Sequence, residues 1–276
     1  MVHAAKSRKR THGMSTPLHY TLLGTGGSHG TPSIGCDCPV CTSTNPNNRR
    51  RRCSLHIHCA ETHLVIDTPP DFREQVLTFG VPHIDALLLT HAHADHIMGF
   101  DDVRRFSHAH SDGLPVYGNA NTLQQMRKKF DYVLEPGYDR FATPNIQFIP
   151  LETEPIHIGP LTITPLPVPH GPNPTHGFRI ETKHHALAYI PDCQLIPPQT
   201  LKKLNNLDVM ILNALRPQPH PTHLTTEQSI QYLQQINATT SLVTHLNHDN
   251  DHDTLQTQLQ PHRITVPWDG YTGTLT

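Results

Sequence analysis

The chain has 276 residues, 36% hydrophobic and 16% charged, with a formal net charge of −2 at pH 7. That length supports a sizeable core in one large or two small domains, and the near-neutral balance gives no general reason to bind polyanions or an anionic membrane. No apolar run approaches a membrane span, and the basic Met1 to Gly13 lacks the apolar segment of a secretory signal. Residues 1–14 are expected to be a disordered basic tail and residues 15–276 a single domain, with the cytoplasm as its compartment.

The 26 Pro and 16 Gly imply many turns, as in a sheet-rich fold with long loops. His19 to Leu23 reads as a strand running into GTGGSHGTP, Gly24 to Pro32. Such a loop serves either a turn with unusual backbone angles or an anion cradle. No helix signal follows directly, so the structural role is favoured. Cys36, Cys38 and Cys41 come next, in CDCPVC. Three thiols this close suit a metal cluster better than a disulfide framework, with a tetrahedral structural zinc taking its fourth ligand from elsewhere. Arg49 to Arg52 read mostly as a solvated charge run, with one or two guanidiniums available to a phosphate.

Leu55 to Cys59 and His63 to Ile66 predict a hairpin. Pro70 to Phe79 reads as a helix, with Gly80 just past its end, and Ile84 to Leu89 as a buried strand. A short helix is expected over Gly99 to Phe106, a strand fragment at Val116-Tyr117, a helix with a basic end over Asn121 to Phe130, and a loop over Asp131 to Pro144. Ile146 to Ile149, Ile156 to Ile158 and Leu161 to Val168 predict strands of a second sheet. Gly177 to Glu181 and Ala186 to Ile190 add another pair. Val209 to Leu212 and Leu242-Val243 are further strands. Between them lie the loop RPQPHPTH and a helix over Thr225 to Ile236, where Thr225 and Gln228 fit a capping box. A last helix lies near Asp253 to Leu259, and Ile264 to Val266 is the expected closing strand.

The most informative stretch is Leu87 to His96, LLLTHAHADH. A buried strand breaks there into His91, His93, Asp95 and His96. With 24 His in the chain, an H-x-H pair arises by chance, as His56 with His58 and His108 with His110 show. The pattern gains weight from the other strand ends, which deliver Asp67, His170, Asp192 and His245. A sheet rim carrying imidazoles and carboxylates suits zinc, manganese, iron or nickel.

The order D, H-x-H-x-D-H, H, D, H resembles the metallo-β-lactamase superfamily, an α/β fold built as a four-layer αβ/βα sandwich. Gly24 to Gly27, the C-x-C-x2-C cluster and T-H-x-x-H at Thr244 to His248 resemble its phosphoribosyl 1,2-cyclic phosphate phosphodiesterase subgroup, over about residue 18 to Trp268-Asp269-Gly270. The resemblance implies two divalent ions (zinc, manganese or similar), one held by His91, His93 and His170, the other by Asp95, His96 and His245, with Asp192 bridging. Asp67 would orient a ligand imidazole. Cys36, Cys38, Cys41 and His248 would hold a separate structural zinc. Asp95 and His223 are the implied catalytic residues, with His223 near the phosphate as hydrogen-bond donor or acid to the leaving oxygen. Metals about 3.5–4 Å apart would share a hydroxide that attacks phosphorus, hydrolysing a small cyclic phosphate diester. Cys53 and Cys59 match no ligand position and read as buried thiols, and Cys193 as packing.

A redox diiron protein of this fold would carry Glu where this chain has His93. A tRNA 3′-processing endonuclease would carry a long Gly-rich or basic arm, and none is visible. A metal-binding accessory protein is the non-enzyme alternative, opposed by the complete ligand set. The expected partner is a small phosphodiester, with neither nucleic acid nor membrane, and a homodimer is a compatible assembly.

Overall fold

The computed structural model describes residues 16–133 and 143–276. The expected N-terminal tail and most of the loop over Asp131 to Pro144 lie outside the described residues. In β1 (Leu18–Gly24), Leu18, Tyr20 and Leu22 are buried while His19 and Thr21 are partly exposed. That alternation lets one face of a strand join a core. β2 (Ser54–Cys59) and β3 (Thr62–Ile66) form the expected hairpin.

Helix α1 (Phe72–Phe79) starts after Asp71 and stops at Gly80, which takes the left-handed conformation at φ 66. Pro70 therefore precedes the helix instead of opening it. β4 (Ala86–Leu88) leads through Thr90 into a one-turn helix, α2 (Ala94–Ile97), which carries Asp95 and His96 and has too few residues to show a period in sequence. The single helix expected over Gly99 to Phe106 is a 3-10 turn, Phe100–Val103, continuing into α3 (Arg104–Ser107). β5 (Leu114–Gly118), α4 (Ala120–Lys129) and β6 (Ile146–Pro150) complete the first half.

The second half runs β7 (Ile156–Ile158), β8 (Leu161–His170), β9 (Asn173–Glu181), β10 (Ala186–Ile190), α5 (Pro198–Leu201), β11 (Val209–Asn213), α6 (Thr226–Ile236), β12 (Thr240–Thr244), α7 (His252–Leu259), β13 (Ile264–Thr265) and β14 (Thr272–Leu275). The capping box at Thr225 and Gln228 is present on α6.

The strands form two seven-stranded sheets, in the orders β14-β1-β2-β3-β4-β5-β6 and β13-β12-β11-β10-β9-β8-β7. Two expectations are corrected. β6 belongs to the first sheet, paired in parallel with β5, because an apolar run does not say which sheet it joins. The closing strand is β14, which returns to pair with β1. Its alternation over Thr272 to Leu275 leaves Thr272 and Thr274 exposed, too weak a signal to read from sequence.

Leu55, Ile57, Leu64, Phe178, Tyr189 and Ile211 pack between the sheets. Phe72, Phe100, Leu123 and Met126 cover the outer face of the first sheet. Ile230, Leu233, Leu255 and Leu259 cover that of the second. The result is the four-layer αβ/βα sandwich. β3, β4, β10, β11 and β12 run in parallel within their sheets. Their carboxyl ends gather on one rim, the usual ligand-binding edge of α/β sheets. Among the described residues no helix is long and apolar enough to cross a membrane.

Gly99 closes the rim loop. Its N–H donates to Thr68 O at 2.9 Å, and a Cβ there would stand 2.1 Å from Pro69 O and 2.8 Å from Phe72 Cβ. Gly99→Ala is therefore expected to lower stability by roughly 1–3 kcal/mol, as overpacking does, measured as the free energy of urea unfolding.

Candidate metal centre

The rim assembles the residues singled out from the strand ends. Ligand atoms of His91, His93 and His170 lie within 4.8 Å of one another, as do those of Asp95, His96 and His245. Asp192 joins His91 and His96 in one such group, and His170 and His223 in another. His91 Nε2 is 2.8 Å from His93 Nδ1, which is 3.3 Å from His170 Nε2. Asp192 reaches His96 Nε2 with Oδ2 at 3.0 Å and His245 Nε2 with Oδ1 at 3.2 Å. Asp95 Oδ2 lies 3.4 Å from His96 Nε2 and 3.6 Å from His245 Nε2.

The hydrogen bonds behind the rings decide which nitrogen faces the centre. Asp67 Oδ2 accepts from His96 Nδ1 at 2.7 Å and from Thr90 Oγ1 at 2.7 Å, and Thr90 N donates to Asp67 Oδ1 at 2.8 Å. The Thr90 hydroxyl, donating to Asp67, accepts from His91 Nδ1 at 3.0 Å. His170 Nδ1 donates to Thr222 O at 2.9 Å. Each of these three imidazoles thus keeps a proton at Nδ1 and turns Nε2 inward. His93 is reversed, with Nδ1 inward and Nε2 3.0 Å from the Asn173 amide. The atom placed there is the amide nitrogen, Asn173 Nδ2; an inward lone pair on Nδ1 leaves the proton on Nε2, and the flipped amide, with its oxygen toward the ring, is the orientation that accepts it. Thr90, Asn173 and Thr222 were missed from sequence. Thr90 adjoins His91, but Asn173 and Thr222 come into place only through the β8–β9 hairpin and the loop before α6.

The donor set fits cations. His245 Nε2 is a buried polar atom without a hydrogen-bond partner, and His96 Nε2 and Asp192 Oδ2, though 3.0 Å apart, are not aligned for a hydrogen bond; native interiors rarely leave such atoms unsatisfied. Burial opposes charge on Asp192, yet His245 and His96 hold its carboxyl well below the usual carboxylate range. Burial also opposes charge on Asp95, and His96 and His245 outweigh it to keep that carboxyl ionised. His96, against the same burial, is held well above the ordinary imidazole range by Asp192, Asp95 and Asp67. His91 is pushed well below that range by burial and by its imidazole neighbours. The carboxylates and His91 are thus in the protonation states that metal binding requires, while His96 carries a proton that a bound cation would displace.

The backbone is strained at two of these strand ends. Asp67 (φ 64) and His245 (φ 57) both adopt the left-handed conformation. Such residues cost roughly 1–3 kcal/mol each and persist where surrounding contacts over-determine them. Asp67 N donates to Leu88 O at 2.9 Å, and Asp67 O accepts from Ser54 Oγ at 2.9 Å.

Three residues past His245, His248 Nδ1 lies 3.2, 3.6 and 3.3 Å from the sulfurs of Cys36, Cys38 and Cys41. These four donors form a second compact group, and all three cysteines are free thiols. The Cys41 backbone N–H holds the Cys38 thiol down to about 6, while burial lifts Cys41 to about 11. Cys53, Cys59 and Cys193 are buried apart from this group.

Arg50 to Arg52 are not a solvated run. Arg50 is 3% exposed and donates to Thr25 Oγ1 and Pro267 O at 2.7 and 2.8 Å. Arg51 pairs with Glu74 and Arg52 with Asp71. Asp269 accepts from Thr25 N and Arg51 N at 3.0 and 2.6 Å. This network fixes the glycine-rich loop. The loop's Gly26, Gly27 and Gly30 N–H groups donate to Arg51 O, Leu246 O and Gly27 O, so they are not free for an anion. A Cβ on Gly24 would stand 2.0 Å from Arg52 O, a close backbone approach that requires glycine. A cavity of about 380 Å³ opens beside the centre, walled by Gly27 to Gly30, Arg216 and His220, with His223 among its lining residues. His223 Nδ1 lies 3.4 Å from Asp192 Oδ1, and burial, then His245, pushes its pKa down to about 2.

Residues 62–246 match the family model of the beta-lactamase superfamily domain. An octanoyltransferase of Porphyromonas gingivalis is 34% identical over 256 residues, covering 90% of this chain. The chain spans 50% of that protein's length. A ribonuclease Z of Mycolicibacterium gilvum is 30% identical over 209 residues, covering 68% of this chain and 65% of that one. Among solved structures, a diphosphatase of the PhnP family is 36% identical, superposes with a TM-score of 0.86, and is matched over 94% of this chain and 97% of its own.

Asn173→Ala is expected to weaken divalent-metal affinity at the rim about 10–100-fold, the usual cost of losing a group that orients a ligand imidazole. Metal titration monitored by calorimetry measures it. Unchanged affinity would show that the amide does not orient His93.

Proposed function

This chain belongs to the metallo-β-lactamase superfamily of hydrolases, and from that premise we propose that it is a phosphodiesterase acting on a small cyclic phosphate diester, phosphoribosyl or nucleotide-like. The observation that carries the reading is the pair of donor groups, His91/His93/His170 and Asp95/His96/His245, with Asp192 touching both. The identity and coverage shared with the PhnP-family diphosphatase support phosphorus chemistry for this site.

His91, His93 and His170 would hold one divalent ion and Asp95, His96 and His245 another, with Asp192 between them. When bound, such a pair supplies an activated water and neutralises charge on the phosphoryl oxygens. Cys36, Cys38, Cys41 and His248 would hold a structural zinc. This chain's residues do the rest. Asp67, Thr90, Asn173 and the Thr222 carbonyl fix the orientation of the ligand rings. Asp192 and Asp95 stay ionised beneath the cavity. His223, neutral in this environment, has an Nε2 without a protein partner among the described residues. Its Nδ1 makes no hydrogen bond, so the tautomer with the single ring proton on Nε2 would donate a hydrogen bond to the leaving oxygen, whose charge grows as the ester bond breaks. The walls of the cavity confine a substrate of metabolite size. Arg216 stands on one wall, its guanidinium held by the carbonyls of Gln218 and Pro219 at 3.3 and 3.0 Å, ready to contact an anionic ester.

The ribonuclease Z similarity makes pre-tRNA the competing substrate. The net charge of −2 disfavours it, because binding to nucleic acid rests on neutralised phosphates. A panel of phosphoribosyl 1,2-cyclic phosphate, 2′,3′-cyclic nucleotides, linear diphosphates and pre-tRNA separates the readings. Turnover of pre-tRNA alone, or of linear diphosphates alone, would overturn the cyclic-diester assignment.

Two outcomes are expected for the reaction. Chelation of divalent metals should abolish hydrolysis of bis(p-nitrophenyl) phosphate, and metal analysis should account for two ions at the rim beside one at the cysteines. His223→Ala should lower kcat about 10²–10³-fold on an ester with a poor leaving group, the usual loss of one donor to a developing oxyanion, and far less on the p-nitrophenyl ester, whose leaving oxygen spreads its charge into the ring. Equal losses on both esters, together with loss of bound metal, would make His223 a ligand instead.

A further inference from the structure

A second concentration of imidazoles stands away from the rim, on the outer face of the first sheet. His56 and His58 are two residues apart on β2 and share a face. The β2–β3 register sets His63 directly opposite His58, and the β1–β2 register sets His19 opposite it on the other side. His83, before β4, packs on His63 with ring centroids 4.2 Å apart. His56 Nε2 and His63 Nδ1 approach to 3.0 Å. The ring centroids of His56, His58 and His63 are separated by 5.6, 5.2 and 5.0 Å. In the rim triad of His91, His93 and His170 the separations are 4.4, 4.9 and 5.0 Å. The two triads differ in ring orientation. The sheet-face rings lie within 23° of parallel, whereas the rim rings are inclined at 64–75°.

We propose that His56, His58 and His63 form a further metal site, for a borderline divalent cation of the nickel, copper or zinc class. His56 and His63 already bring two ring nitrogens to within 3.0 Å of each other. His58 stacks on His19 at 4.3 Å and on His63 at 5.0 Å, and it completes the set by turning out of that stack about its side-chain torsions. It is partly exposed, and neither of its ring nitrogens has a hydrogen-bond partner among the described residues. The rings are available as neutral ligands. Burial, then its imidazole neighbours, pushes His56 down to about 3, and His58 and His63 shift in the same direction, burial again leading. The nearby carboxylate is engaged elsewhere, since Asp85 Oδ2 accepts from His63 N at 2.7 Å and faces His83 Nε2 at 3.4 Å. An all-imidazole set favours these metals over calcium or magnesium. Without metal, the short nitrogen–nitrogen approach is an N–H···N hydrogen bond. Binding moves the donating ring's proton to its other nitrogen and releases none.

The test titrates protein already holding its full complement of zinc at the rim and at the cysteines with nickel, by calorimetry and metal analysis. Wild type is expected to take up one further equivalent per chain. His63→Gln should abolish that uptake, and His58→Gln should weaken it at least tenfold. Hydrolysis of bis(p-nitrophenyl) phosphate and uptake in His19→Gln should both be unchanged. No further equivalent in wild type, or uptake unaffected by His58→Gln, overturns the site. If His63→Gln fails to fold, His58→Gln decides alone, because that partly exposed position tolerates the change.

Discussion

A buried carboxylate, a partly buried one and a ring of imidazoles converge on one rim, where His96 is the imidazole held toward a compensating positive charge. Asp95 and Asp192 face His96 and His245 across 3.0–3.6 Å. Of the imidazoles, His96 is held toward the charged form and His91 toward the neutral one. Buried charge without compensation is among the most costly features a fold can contain. Divalent cations relieve that cost, so the site that chemistry would use is also the place where the fold is least satisfied alone.

The surrounding structure is arranged to hold that convergence. Asp67 leaves β3 in a left-handed conformation and fixes both His96 and Thr90, through which it also positions His91. His245 leaves β12 in the same conformation. Three residues later His248 enters the cysteine group, so the rim and the CDCPVC loop share one short segment. Leu246, between them, exchanges backbone hydrogen bonds with Thr25 and Gly27. The buried Arg50 anchors that glycine-rich loop in turn, through Thr25. The cysteine group, the rim and the cavity wall are thus joined by a few residues of hydrogen-bonded backbone.

The fold itself does not name the reaction, because one scaffold hosts many chemistries and function resides in the site. Two relatives illustrate this, a diphosphatase and a ribonuclease. What they have in common with this chain is the layered scaffold. What distinguishes substrates is the cavity beside the rim, where Arg216, His220 and His223 stand on one loop opposite Gly27 to Gly30.

Much of the rim was legible in sequence, because its histidines and carboxylates sit at strand ends or in the few residues after them, and strands announce themselves by apolar runs. His91 to His96, His170, Asp192 and His245 were all found that way, and the three cysteines by their spacing. Their chemistry is local: a residue type at the end of a recognisable element. Pairing is not local. Sequence could not show that β6 joins the first sheet, that β14 closes it, or that Arg50 is buried under the glycine loop. Nor could it show that Asn173 and the Thr222 carbonyl orient His93 and His170, since these contacts depend on segments far apart in the chain. The same reason separates two H-x-H pairs that look alike on paper. Residue type and order determined which side chains could bind metal. Sheet register decided that His56 and His58 meet His63, and the packing of one sheet on the other decided that His91 and His93 meet His170.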